Sequence, residues 1–345
     1  MNTPFVSVII PCLNEEKFIA SCIDTILAQD YPKECLEILF IDGRSTDKTV
    51  EIIKSYIAKY PFIKLLDNPY QFAPHALNIA IKASHGQVIL RMDAHNFYKP
   101  IYISRCVHYL LEYDCDNVGG LFVTRSAVDT NTGHAIVLAL TCSFGIGNAD
   151  YRLGIKEPKY VDTVPFGCFK REVFDRIGYF DEDLIRAEDD EFNARLIKSG
   201  GKVLLVPDII SEYHARSTFK NLWRMFYQYG YFKPLAALKL KKIMTWRQLV
   251  PALFFTSLVV AGVLGLFIPV FKWLFIIEAG LYLSVNVVVS LFLALRNKVK
   301  FFPYLVITFS LIHFAYAFGY LQGIVDFIFL KNHIKNKMKH IGISR

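Results

Sequence analysis

The sequence lacks several features that would have pointed straight to a chemistry. It contains neither G-x-G-x-x-G nor G-x-x-x-x-G-K-[ST], which argues against a dinucleotide fold and a P-loop. Its seven cysteines all precede residue 170 and form no Cys-x-x-Cys pair. That excludes a thiolate metal site of the usual spacing and points to reduced, mostly buried thiols in a cytosolic domain. Acid is scarce in the C-terminal part. Residues 233–345 hold 14 Lys/Arg against Glu278 and Asp326, a net of +12 that leaves −4 for residues 1–232. Charge of either sign is missing from residues 248–271 and 301–325, and Glu278 stands alone in 273–295. Each run is long enough to cross ~30 Å of hydrocarbon as a helix. The cations lie between the runs, at Lys239, Lys241, Lys242 and Arg247, then at Arg296, Lys298 and Lys300. They read as membrane flanks, with the N-terminal domain on the cytoplasmic side, and not as nucleic-acid contacts. Three crossings would put the basic tail (Lys331, Lys335, Lys337, Lys339) outside, so one span is a candidate for a re-entrant or interfacial segment. The opening "FVSVII" reads as a strand and not as a signal peptide.

What is present is a chain of 345 residues, 53% apolar, enough for a full core and two structural units. Short apolar runs recur at Phe5–Ile10, Leu36–Ile41, Phe62–Leu66 and Val88–Leu90. Continuous apolar strands suit a parallel sheet buried on both faces. Between them, Phe18, Ile19, Cys22, Ile23, Ile26 and Leu27 share one helical face, as do Val50, Ile53 and Ile57 after Asp47, a candidate N-cap. The alternation predicts an α/β, doubly wound domain. Ligands of such sheets bind at the carboxyl ends of the strands. There the sequence sets Pro11-Cys12-Leu13-Asn14-Glu15, then Asp42-Gly43-Arg44-Ser45-Thr46-Asp47, then Asp93-Ala94-His95.

Asp93 and His95 are metal candidates, since residues i and i+2 of an extended chain point to one side; the plain alternative is a strand-end acid beside a surface histidine. Oxygen with imidazole suits Mn²⁺ better than Mg²⁺. Glu188, Asp189, Asp190 and Glu191 open a helix in "RAEDDEFNARL". Acids at a helix start are favoured by its dipole, yet one facing a pocket could serve as a general base. Phe166-Gly167 allows a close backbone approach, or is a loop that merely needs glycine. His214 follows the apolar stretches Val203–Val206 and Ile209–Ile210, and a lone histidine is usually structural.

Together these residues carry a resemblance. Residues 4 to about 232 resemble the catalytic domain of family 2 glycosyltransferases, of the GT-A fold. "VSVIIPCLNEE" resembles the opening strand and Pro-x-x-Asn-Glu turn, "FIDGRSTDKT" the Asp-x-x-Ser-x-Asp-x-Thr segment, "MDAH" the Asp-x-Asp metal motif and "AEDDEFNARL" the Glu-Asp motif with its downstream Arg. The Asp-x-His variant and the trailing helices are similar to the membrane-anchored subgroup that builds exopolysaccharide of succinoglycan type.

The resemblance implies roles. Pro11, Asn14, Glu15, Asp42 and Asp93 would bind the nucleotide sugar, commonly a UDP-sugar. Asp93 and His95 would hold a divalent cation, Mn²⁺ before Mg²⁺, with His214 completing the site. Asp189 would be the catalytic base of an inverting transfer, and Phe166, Gly167 and Glu188 would meet the acceptor, a hydroxyl of a lipid-linked glycan. "QYGYFK" has Tyr231 where processive synthases carry Arg, which favours single additions. The implied layout is a catalytic domain over 1–217, interfacial helices over 218–248 with Trp223, Arg224, Phe226, Tyr227, Tyr229 and Tyr231, about three transmembrane helices over 249–330, and a basic tail over 331–345. The expected location is the cytoplasmic (inner) membrane, multi-pass. Two other readings stand: transfer of a hexose to polyprenyl phosphate, and a membrane-anchored nucleotide-sugar-binding subunit without catalysis.

Overall fold

The computed structural model describes residues 3–242 and 245–331. The expected basic tail lies, beyond Lys331, outside the described residues. The chain divides into two compact units, Met1–Val123 with Asp150–His214, and Thr124–Ala149 with Ala215–Arg345. Residues 124–149, counted with the first domain by sequence, thus group with the C-terminal helices.

The first unit is built on a mixed sheet. Its strands are β1 (Val6–Cys12), β2 (Leu36–Asp42), β3 (Ile63–Asp67), β4 (Val88–Arg91), β5 (Phe97–Tyr98), β6 (Asn117–Ser126), β7 (Lys159–Tyr160), β8 (Cys168–Lys170) and β9 (Val203–Ala215). They lie in the order β3-β2-β1-β4-β8-β6-β9-β5, with β7 against β9. Pairing is parallel among β3, β2, β1 and β4, and antiparallel from β4 to β8 and from β8 to β6. The parallel half matches the four predicted runs. β1, β2 and β4 are buried almost throughout because alternate residues feed two cores, while the edge strand β3 buries only Ile63 fully. Val6, Val8, Ile10, Ile38 and Phe40 pack with α1 (Ile19–Leu27), α2 (Thr49–Ile57) and α4 (Tyr102–Glu112). Ile9, Leu39, Ile41 and Ile89 pack with α3 (Ala73–Ala83), α8 (Glu172–Ile177) and α9 (Glu188–Lys198). A short α7 (Asp150–Leu153) completes the unit. Asp47 does not cap α2 as expected; it lies one residue outside the cap position Lys48, and its carboxylate accepts instead from the Thr49 N–H at 3.0 Å and the Glu16 N–H at 3.1 Å.

The second unit is helical: α5 (Asn131–Leu140), α6 (Ser143–Ile146), α10 (Phe219–Leu240), α11 (Val250–Leu264), α12 (Pro269–Arg296) and α13 (Phe302–Gly323). Among the described residues, three helices are long and apolar enough to cross a membrane: Trp246–Leu264, Pro269–Arg296 and Val299–Phe329. The first break falls at Gly265–Ile268, ahead of the charge break at Lys272, because Pro269 suits the first position of a helix and cannot continue one. Polar side chains of α12 recur every fourth residue, Glu278, Tyr282, Asn286 and Ser290, so they form one stripe. The stripe is used between helices: Ser257 donates to Glu278 at 2.7 Å, Tyr282 meets His313 at 3.0 Å, and Asn286 donates to Ser310 at 3.0 Å. Polar groups turned into a bundle in this way leave an apolar surface for lipid. α10 lies directly on α13. A Cβ on Gly319 would sit 2.1 Å from the Tyr227 carbonyl oxygen, and one on Gly230 2.1 Å from that of Tyr316. Tyr231, the residue that departs from the processive signature, donates to the buried Asp326 carboxylate at 2.8 Å.

Candidate active site

The parallel strands end at one edge of the sheet, and the loops that leave them carry the site. The sequence reading put Pro11 in the first turn, but β1 continues through it, with Pro11 opposite Ile41 and Cys12 opposite Asp42. A proline fits there because the β1–β4 pairing stops at Ile9 opposite Arg91, so its missing N–H breaks no ladder bond.

The loops after β1 and β2 are stitched into one wall. Asn14 sits in left-handed backbone, φ 53°. Its side-chain oxygen accepts from the Thr46 N–H at 2.7 Å, and its own N–H donates to Ser45 Oγ at 2.7 Å. Asp42 accepts from Ser45 twice, from the N–H at 3.0 Å and the hydroxyl at 2.5 Å. This is the local turn that short acidic side chains favour.

The Asp93–His95 pair is not an extended dipeptide. β4 stops at Arg91, and the Asn96 N–H donates to the Asp93 carbonyl at 3.3 Å, closing a turn. Strand alternation therefore does not govern where these two side chains point. His95 Nδ1 lies 3.3 Å from Glu15 Oε1, and Asp93 Oδ1 lies 3.4 Å from Arg91 Nε. His214, on β9, meets Phe97 edge-on at 5.6 Å, and its Nδ1 is buried without a hydrogen-bond partner. Among the described residues, no three His, Cys, Asp or Glu groups gather as a metal cluster. The donors nonetheless fit a cation that favours oxygen and imidazole, and the orphaned nitrogen of His214 is what a ligand atom looks like before its partner arrives.

α9 begins at Glu188, where the acid cluster predicted a helix start. Ala187 precedes it with φ 66°, and Phe166 carries φ 50°. Left-handed backbone at non-glycine residues is costly and clusters where surrounding structure demands it. Between them lies Arg91. Its Nη1 donates to Asp189 Oδ1 at 2.7 Å and to Glu188 Oε1 at 3.3 Å. Its guanidinium rests over the Phe166 ring, 5.8 Å from the centroid, and its N–H donates to the Gly167 carbonyl at 3.0 Å. Gly167 is required there: a Cβ would lie 2.4 Å from Asn117 Oδ1. Asn117 in turn donates to Asn193 at 2.8 Å, and Asn193 to Thr163 at 3.0 Å, which pins α9 to the sheet.

Burial pushes the Asp189 carboxyl up, Arg91 pulls it down, and the charges of Glu188, Asp190 and Asp93 push it further up, to about 7. Burial alone would weaken the charge on Arg91, but the carboxylates around it outweigh that and hold it firmly protonated. A partly exposed carboxylate that titrates near neutrality can take up a proton during a reaction. The loop residues and α9 thus converge as the motif order suggested. The motifs missed Arg91 and the Asn117–Asn193 link. The one available signal was a charged residue ending a wholly apolar strand. Arg195, the downstream residue of the acid motif, serves α9 itself: it donates to Glu191 and to the carbonyls of Ile177 and Tyr179.

The sequence pattern of glycosyl transferase family 2 matches residues 7–178. Dolichyl N-acetyl-alpha-D-glucosaminyl phosphate 3-beta-D-2,3-diacetamido-2,3-dideoxy-beta-D-glucuronosyltransferase of Methanococcus voltae is 28% identical over 326 residues, covering 93% of this chain and 97% of its own. Succinoglycan biosynthesis protein ExoA of Rhizobium meliloti (strain 1021) is 25% identical over 324 residues, with 93% and 95% covered. Among solved structures, the mannosyltransferase PcManGT of Pyrobaculum calidifontis, in complex with GDP-Man and Mn²⁺, has a TM-score of 0.58 at 20% identity, covering 90% of this chain and 88% of that one. That likeness concerns the fold, which is GT-A. With the sheet edge, the motif residues and full-length relatives in agreement, the chain belongs to glycosyltransferase family 2 and is a transferase of sugars.

Proposed function

We propose that the protein is an inverting glycosyltransferase of cell-surface polysaccharide assembly. It moves a sugar from a nucleotide-diphosphate donor, a UDP-sugar, to a hydroxyl of a lipid-linked glycan. The observation that carries this reading is the convergence of Asp93 and Asp189 on one buried guanidinium, Arg91. The acid of the metal motif and the acid of α9 thereby border the same small space.

In this reading the acceptor hydroxyl gives its proton to Asp189 as its oxygen attacks the anomeric carbon. The bond to the diphosphate oxygen breaks on the opposite face, so the configuration inverts without a covalent intermediate. Glu188, Phe166 and Gly167 border the acceptor, and Pro11, Asn14, Glu15 and Asp42 the nucleotide. Asp93, His95 and His214 would hold a divalent cation, which when bound stabilises charge on the leaving diphosphate. Mn²⁺ is favoured over Mg²⁺ by the two imidazoles. Electrostatics support a cation: Asp93, Glu188 and Asp189 surround a single guanidinium, a setting that repels an anionic donor. The Methanococcus relative is named for transfer to a dolichyl-linked sugar phosphate and the Rhizobium relative for succinoglycan biosynthesis, which supports a lipid-linked acceptor. The apolar helices support anchorage in the cytoplasmic membrane by residues 249–330, with the catalytic domain on the cytoplasmic side.

The test is a panel of nucleotide sugars incubated with the full-length protein and membrane lipid extract, scoring nucleotide release and lipid-linked product. The expected result is product from a UDP-sugar, lost on chelation and restored best by Mn²⁺. No product from any donor would overturn the reading. Full activity of Asp189→Asn would point instead to a polyprenyl phosphate acceptor, whose oxygen needs no deprotonation.

A further inference from the structure

Arg91 belongs to no motif of the sequence, yet more of the site touches it than touches any other side chain described above. It ends β4, with only 8% of its side chain exposed. Nε faces Asp93, and Nη1 is shared by Glu188 and Asp189. The Phe166 ring lies under the guanidinium, and the backbone N–H holds Gly167. Three segments far apart in sequence therefore meet on one planar cation: the turn after β4, the Phe166–Gly167 loop and the first turn of α9.

The chemistry of guanidinium makes this more than charge balance. Its N–H groups form a rigid fork, and the ion does not deprotonate at any pH a protein meets. Asp189 sits on a helix whose neighbouring acids repel it, and it retains 28% exposure of its side chain. Without a fixed partner its carboxylate would be free to rotate out toward solvent. The 2.7 Å bond from Nη1 occupies Oδ1 and leaves Oδ2 for a proton. The same fork ties Asp93, so the two acids keep a set spacing. Displacement of a reacting group by about 1 Å can cost ~100-fold in rate.

We infer that Arg91 is a positioning residue for the transfer: it aims the Asp189 carboxylate and ties its position to the metal-motif acid Asp93. This rests on the reading of Asp189 as the base. Arg91 then acts on turnover through Asp189, and it contributes little to donor affinity.

The experiment uses the full-length protein and the UDP-sugar that the donor panel identifies. Arg91→Lys keeps the charge and loses the fork; Arg91→Gln loses both. Each is made alone and combined with Asp189→Asn. The single variants should lose about 10- to 1,000-fold in kcat with donor KM changed only a few-fold, Arg91→Lys the milder of the two. Titration of UDP with Mn²⁺ should stay within a few-fold of wild type. In the Asp189→Asn background, either change at Arg91 should cost almost nothing more, because residues acting as one unit are not additive. If the penalties multiply, or if UDP binding falls in step with turnover, Arg91 is a general scaffold or a donor contact and the inference fails. Should Arg91→Gln not fold, Arg91→Lys and its double variant decide alone. A wild-type protein that transfers no sugar would overturn the glycosyl-transfer reading itself, and a fully active Asp189→Asn would remove the base on which the clamp acts.

Discussion

At the scale of single residues, the site turns on a carboxylate made unusual by its neighbours. Asp189 titrates at about 7, because burial and the surrounding acids outweigh Arg91. Only its ionised form accepts a proton, so turnover should rise as pH passes upward through about 7. Asp189→Asn should lower kcat by about 100- to 10,000-fold, the usual share of a general base, and remove that rising limb. Donor binding should change only a few-fold, and Asp190→Asn should do less damage. A rate profile flat across neutrality would refute the assignment. His214 offers a second test. Its orphaned, buried Nδ1 is an ordinary cost if the ring is structural, and an asset if it awaits a cation. His214→Ala should weaken Mn²⁺ binding in the presence of UDP by about 10- to 100-fold while the melting curve stays near wild type. Unchanged Mn²⁺ affinity in a folded variant strikes His214 from the site.

At the scale of elements, the far end of the sheet holds a second buried acid with the opposite fate. Glu37, on β2, has a side chain 4% exposed. Burial pushes its carboxyl up, but bonds from the Ser7 hydroxyl at 2.7 Å, the His85 N–H at 2.6 Å and Lys64 at 3.1 Å, with the His85 ring, win and hold it at about 2. The folded value lies below the ordinary 4.5, so the stabilisation is complete above about 4.5 and is lost as pH falls toward 2. Its size is on the order of 3 kcal/mol. The network joins β1, β2 and β3 to the loop that launches β4, so it steadies the strand that ends in Arg91. Glu37→Gln should lower the melting temperature at pH 7, and the loss should shrink as pH is brought down through the carboxylate range. Equal loss at both ends of that range would mean the network works by packing and not by charge.

At the scale of the whole molecule, the second unit depends on helices that touch backbone to backbone. The aromatic segment over 218–248, read from sequence as interfacial, is mostly α10, and α10 is packed on α13 where Gly230 and Gly319 leave no room for a side chain. Gly319→Leu should force the helices apart and destabilise the detergent-solubilised protein by about 1–3 kcal/mol. Gly280→Ala is the control, since nothing lies within 4 Å of a Cβ there. Equal melting of the two variants would sink the idea that this crossing carries the bundle.

The sequence by itself determined what depends on neighbours within one element. Apolar runs and helical spacing marked the parallel strands and their first helices, stretches with at most one charge marked the three membrane-length helices among the described residues, and the acid run marked the start of α9. Motif order also named the loops that share the sheet edge. The tertiary structure decided what depends on strand order and on where pairing stops. Pro11 lies inside β1 because β4 ends early, and Asp93–His95 is a turn for the same reason. Residues 124–149 joined the helical unit although their chain leaves from a strand of the sheet. Arg91 meets Asp189 across 98 positions of sequence, and no local period encodes a contact of that range. The same holds for the proton affinity of Asp189: it is a sum over burial and four charged neighbours, two of which, Arg91 and Asp93, reach it only by folding.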